Sequence, residues 1–159
     1  MAPLTKVELQ KLVGKSISDL CLNGFASPSQ NHCAHFVGHA LSIKLGVLCG
    51  DLKFQTKGSG VSIRCDELYN KLRQRGPWSE RPAQSDGLLI FVISRRHVVN
   101  DIMTNVPQKH VGIHLAGGVY NFSNAQHKVV VDRSVDAFHR KFKGLYHGGD
   151  ISLYYGIVT

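Results

Sequence analysis

A cysteine acts as a nucleophile when its thiolate is stabilised and a base stands beside it, and two positions of this chain suit those roles. Cys33 follows a polar loop, Asn23-Gly24-Phe25-Ala26-Ser27-Pro28-Ser29-Gln30-Asn31, and lies at the start of a stretch with helical periodicity. A helix N-terminus stabilises a thiolate through its free N–H groups and partial positive charge. Those groups, the N–H of Cys33 included, can also bind the oxyanion of a tetrahedral intermediate. Gln30, Asn31 and His32 are within reach as a second donor. His110 is the candidate base: it follows Pro107-Gln108-Lys109 and opens a strand, so its ring can face a helix from the end of a sheet. Such a pair performs acyl transfer through a thioester. The imidazole takes the thiol proton, the sulfur attacks an amide carbonyl, the imidazolium protonates the leaving amine, and water releases the acyl group.

A third group is expected to orient the imidazole. Gly117-Gly118 is a tight-turn signal between His110-Val111-Gly112-Ile113-His114-Leu115 and Val119-Tyr120-Asn121-Phe122-Ser123. A two-residue turn there pairs Ala116 with Val119, His114 with Asn121 and Gly112 with Ser123. Strand residues alternate faces, so His110, Gly112 and His114 share a face with Asn121 and Ser123. Asn121 is the preferred orienting group because its amide oxygen accepts from a ring N–H; Ser123 is the alternative, and His114 is a competing base.

The elements that must hold these residues read as helices first and an antiparallel meander second, an α+β order. Thr5-Lys6-Val7-Glu8 forms a capping box for a short helix through Leu9, Leu12 and Val13, and a further helical turn spans 16–22. Ser29 or Asn31 caps a helix over 32–45. Its Cys33, Val37 and Leu41 lie on one side; His35, His39 and Ser42 form a narrow polar strip opposite. Residues 46–62 read as loop. A helix over 66–75 has acids first, bases last and Gly76 as its stop. Strands are expected over 87–93, 110–115, 119–123, 128–132 and 151–158, with a Ser134-capped helix carrying Val135, Phe138 and Phe142.

The 159 residues are read as one domain over 1–159, and no apolar run is long enough to span a membrane. The segment from Met1 to Glu8 lacks the apolar stretch of a secretory signal. The net charge of +8 favours anionic partners, and a basic nucleic-acid-binding module without catalysis is an alternative function; but no base-stacking motif appears and the basic residues do not line one face, so no nucleic acid is expected. The cysteines, Cys21, Cys33, Cys49 and Cys65, include no C-x-x-C pair; the three besides Cys33 read as core thiols, with one disulfide among them an open alternative. A metal set of Cys33, His35 and His39 is disfavoured. The segment His35 to His39 lacks the glutamate of a zincin motif, and Cys33 points about 160° from His35 around the helix. A solvated polar strip is expected there, with no metal and no cofactor.

Three segments in this order, Asn31-His32-Cys33-Ala34-His35-Phe36-Val37, Asp86-Gly87-Leu88-Leu89-Ile90-Phe91-Val92 and His110-Val111-Gly112-Ile113-His114-Leu115, resemble the NlpC-type cell-wall cysteine peptidases. The resemblance covers roughly residues 30–125 and implies a papain-like fold, with N-terminal helices packed on a central antiparallel sheet. It departs from the family at His32-Cys33-Ala34-His35, where Asp-Cys-Ser/Thr-Gly is usual, and near Phe122, where the family often has His. Those departures are more similar to the divergent amidase effectors of type VI secretion. Membership of that group implies cleavage of an amide bond in murein stem peptides or cross-links, and delivery by secretion machinery from the producing cytoplasm to the periplasm of target cells. It also implies a cognate immunity protein as partner. The order of Cys33 before His110 favours a peptidase over the lipid-acting relatives, in which His precedes Cys; a papain-like cysteine protease acting on protein substrates is the alternative.

Overall fold

The computed structural model describes residues 4–147 and 149–158; the first three residues of the segment expected to lack a secretory signal lie outside them. The architecture is α+β. Helices α1 (Lys6–Leu12), α2 (Ile17–Leu20), α3 (Cys33–Leu41) and α4 (Cys65–Lys71) come before most of the sheet. The strands are β1 (Arg75–Pro77), β2 (Leu89–Ser94), the small hairpin of β3 (Val98–Val99) and β4 (Ile102–Met103), β5 (Lys109–Leu115), β6 (Gly118–Ser123), β7 (Lys128–Asp132) and β8 (Ile151–Gly156). Helix α5 (Val135–Leu145) lies between β7 and β8. The main sheet is antiparallel throughout in the order β1-β8-β2-β5-β6-β7.

The alternation of β2 explains the layering. Its six residues are all buried. Leu89, Phe91 and Ile93 join the larger core with Phe36, Val37 and Tyr69 of α3 and α4. Ile90 and Val92 join a second cluster with Phe138 and Phe142 of α5. The sheet is therefore covered on both faces, which is why this strand reads as a continuous apolar run. Each such large side chain contributes about 1.5–3 kcal/mol on burial.

Local signals act as expected in several places. The Thr5 hydroxyl accepts from the Glu8 N–H while the Glu8 carboxylate accepts from the Thr5 N–H at 2.7 Å. Ser134 Oγ accepts from the Ala137 N–H at 3.0 Å and starts α5. Residues 46–62 carry only 3₁₀ turns and an isolated bridge. Other boundaries differ. Helix α3 ends at Leu41 because Ser42 adopts a left-handed conformation with φ 55°. Helix α4 ends at Lys71, and Arg75–Pro77, expected as helix end and stop, is instead an edge strand paired with β8. The β5–β6 turn also shifts: Ala116 and Gly117 are its central residues, both at positive φ, as a tight hairpin turn requires. Leu115 then pairs with Gly118, His114 with Val119 and Gly112 with Asn121. The register moves by two residues, so the pairing expected from the sequence is corrected while the face of each side chain is preserved.

Candidate active site

Asn31 builds the start of α3. Its Oδ1 accepts from the Cys33 N–H at 3.0 Å and from Asn124 Nδ2 at 3.1 Å, while Asn124 Oδ1 accepts from the His32 N–H at 3.0 Å. Asn124 follows β6, so this clamp ties the loop before Cys33 to the end of the sheet. The Cys33 sulfur, on a residue only 2% exposed, meets the sheet where the β5–β6 ladder opens. The β2–β5 pairing continues to Lys109, but β5–β6 pairing stops at Gly112 and Asn121, two residues short of His110. There the sulfur lies beside the His110 imidazole, the Cys65 thiol and the Val111 N–H.

These neighbours decide the charge on sulfur. The hydrogen bond from Cys65, the positive charge and hydrogen bond of His110, and the Val111 N–H together hold the Cys33 thiol well below its ordinary 9.0, against the opposing effect of burial. Burial, followed by the neighbouring Cys33, pushes the Cys65 thiol well above the same value. The two shifts agree on one arrangement, with Cys65 the protonated donor and Cys33 the acceptor. From the sequence Cys65 is expected as a core thiol, and its neighbours in the chain carry no sign of this contact.

The tautomer of His110 follows from its partners. Asn121 Nδ2 faces two groups that only accept, the Val119 carbonyl at 3.1 Å and Asp132 Oδ2 at 2.9 Å. The amide oxygen therefore points the other way, toward His110 Nε2 at 3.1 Å. Nε2 must carry the proton, which leaves the Nδ1 lone pair free to take one. The ring is also stacked on Phe142, with centroids 4.5 Å apart, and an imidazolium gains from that aromatic face. Asp132 is held in turn by Lys141 Nζ at 2.6 Å. Nothing in the sequence places Asp132, Lys141 or Phe142 beside His110, although Phe142 is expected on a helix and residue 132 at a strand end; only the fold of α5 over the sheet brings them here.

The remaining candidates fall elsewhere. Ser123 Oγ accepts from the Gln126 N–H at 3.1 Å and shapes the β6–β7 turn. His114 Nδ1 donates to the Ser85 carbonyl at 2.8 Å and its ring packs edge-on to Trp78, toward the other end of β5. Gln30, Asn31 and Cys33 line a cleft of about 380 Å³ with Cys65, Asp66 and Lys109. Asp66 Oδ1 is buried with no hydrogen-bond partner among the described residues, so the cleft holds one unused acceptor.

The polar strip of α3 is corrected. His35 is fully buried, His39 is partly buried, and only Ser42, beyond the helix, is exposed. Burial, then the neighbouring His39 and His32, lowers the His35 pKa to about 3, so its imidazole is neutral. All four cysteines are free thiols.

No protein-family model matches this chain, and no curated protein matches it in sequence. Among the described residues no helix is long and apolar enough to cross a membrane.

Proposed function

We propose that this protein is a cysteine amidase of papain-like, NlpC-type architecture that cleaves an amide bond in murein peptides. The observation that carries the reading is the line of Cys33, His110 and Asn121, with Asn121 Oδ1 3.1 Å from His110 Nε2 and the cysteine opening onto a cleft at a helix N-terminus.

His110 Nδ1 takes the Cys33 proton and the thiolate attacks the amide carbonyl. The oxyanion displaces the Asn31 carboxamide from the Cys33 N–H and gains that donor, with Gln30 at hand in the cleft for a second. His110 then protonates the amine as the C–N bond breaks, leaving a thioester. Water, deprotonated by the same ring, attacks the thioester to release the carboxylic acid and restore the thiol. Asp66 Oδ1 suits a substrate N–H or amine. The charge of +8 suits an anionic polymer such as murein. Action on a rival's cell wall after export through secretion machinery, and neutralisation by an immunity protein that plugs the cleft, belong to the same proposal.

The test is mass spectrometry of purified murein fragments after incubation with the wild type and with Cys33→Ala. New peptide termini are expected with the wild type alone. Equal cleavage by both proteins would remove the mechanism; cleavage of proteins but not murein would transfer it to another substrate class.

A further inference from the structure

We propose that Cys21, His35, His39 and Cys49 bind a structural zinc ion in a closed tetrahedral Cys₂His₂ site, apart from the proposed catalytic centre. Their four ligand atoms lie within 4.8 Å of one another. A tetrahedron with zinc–sulfur bonds of about 2.3 Å and zinc–nitrogen bonds of about 2.0 Å has ligand atoms about 3.3–3.8 Å apart. The two histidine Nε2 atoms are already 3.2 Å apart, and Cys49 Sγ is 4.0 Å from His39 Nε2. His35 and His39 stand one turn apart on α3, so one helix presents both rings to the same point.

The surroundings prepare these atoms for a cation. The Ser27 carbonyl can only accept, so His32 Nε2, 2.7 Å away, carries a proton and donates to it. Neutral His32 then accepts at Nδ1 from His35 Nδ1–H at 3.1 Å. That chain makes His35 Nε2 an acceptor, aimed at the other three ligands and meeting only His39 Nε2 at hydrogen-bond distance, as an outer partner does for a metal-bound histidine. The sulfurs are acceptors too. Cys49 Sγ accepts from the Val61 N–H at 3.3 Å and from Asn23 Nδ2 at 3.5 Å; Cys21 accepts from the N–H groups of Asn23 and Phe25. Gly60, at φ +93°, leaves room for Cys49: a Cβ there would overlap Cys49 Sγ and approach Asn23 Nδ2 to 2.7 Å.

The location explains what the ion would do. Between α2 and α3, and between α3 and α4, the chain has only 3₁₀ turns and an isolated bridge. The buried apolar cluster there is Cys21, Cys49 and Val61, and two of those three are ligands. So small a cluster is weak compensation for the ordering entropy of long loops, and a metal site supplies what the core does not. The same segments provide Phe25, Gln30, Asn31 and Ile63 of the cleft beside Cys33. Two thiolates and two imidazoles favour zinc over harder cations, and four protein ligands leave no open position for catalysis.

The test uses untagged full-length protein grown with zinc. Elemental analysis is expected to find one zinc per chain, and replacement by cobalt(II) to give the visible bands and thiolate charge transfer of a tetrahedral S₂N₂ centre. A strong chelator should strip the metal, lower Tm and make Cys21 and Cys49 newly reactive to a thiol reagent. Cys33→Ala should retain the zinc, and Cys49→Ser should lose it. If Cys49→Ser fails to fold, the cobalt spectrum and chelation of the wild type still decide the matter. Wild type without stoichiometric zinc, a Cys21–Cys49 disulfide in peptide mapping, or metal lost from folded Cys33→Ala would each overturn the site. Inactivity toward murein in a protein that retains its zinc would count against the amidase reading alone.

Discussion

Asn121 has its oxygen facing His110 because its nitrogen is claimed by an acceptor on each of two residues, Val119 and Asp132. Asn121→Ala should lower kcat about 10- to 100-fold, the equivalent of about 1–3 kcal/mol for an orienting hydrogen bond. Asp132→Ala should also lower kcat, by less, since Val119 still holds the amide; steady-state kinetics on a peptide amide would check both. An Asp132→Ala variant more impaired than Asn121→Ala would contradict this order. Cys65 acts on the sulfur itself. Removing its donated hydrogen bond should raise the Cys33 pKa toward the ordinary 9.0. The wild-type thiolate persists to lower pH, so the rate of alkylation by iodoacetamide should rise through a higher pH range in Cys65→Ala. An unchanged profile would mean that His110 and the Val111 N–H suffice.

The β5–β6 hairpin carries both His110 and Asn121, and its integrity depends on Gly112. A Cβ at that position would lie 2.9 Å from the Tyr120 carbonyl and 3.0 Å from Asn121 Cβ. Neither the backbone nor a fully buried Asn121 can yield cheaply. Gly112→Ala should therefore cost about 1–3 kcal/mol in denaturant unfolding and reduce activity more than stability alone explains, since it displaces the orienting amide. A variant as stable and as active as the wild type would show that the strands can separate there freely. Helix α5 contributes at the same level, because Phe142 supplies the surface on which the imidazole rests.

For the molecule as a whole, charge and cleft act together. With a net charge of +8 and the proposed murein substrate, which is rich in carboxylates, long-range attraction should raise the encounter rate and be screened by salt. Raising ionic strength from about 0.01 to 0.15 M shortens the Debye length from about 30 to 8 Å. It should depress kcat/KM on intact murein while leaving turnover of a short neutral peptide little changed. Equal salt sensitivity of the two substrates would assign the effect to the site and not to the surface.

Residue order alone disclosed the α+β class, most strands, and Cys33, His110 and Asn121 as one candidate group. Those follow from period, turn and cap signals, which act over a few residues, and from the parity of a hairpin, which survived a register shift of two. The pairing of Cys33 with His110 came from their complementary chemistry; other contacts between segments far apart in the chain were not legible. Nothing near Cys65 marks it as the neighbour of Cys33, and nothing near Asp132 or Phe142 links them to His110. The polar strip of His35 and His39 looked solvent-facing because a helical wheel cannot tell water from a covering loop. Packing of the loops on either side of α3 decided that, burying His35 against Cys21 and Cys49. Local pattern encodes the element; which elements then share a surface is set by the burial of apolar area across the whole chain, and only the folded structure expresses it.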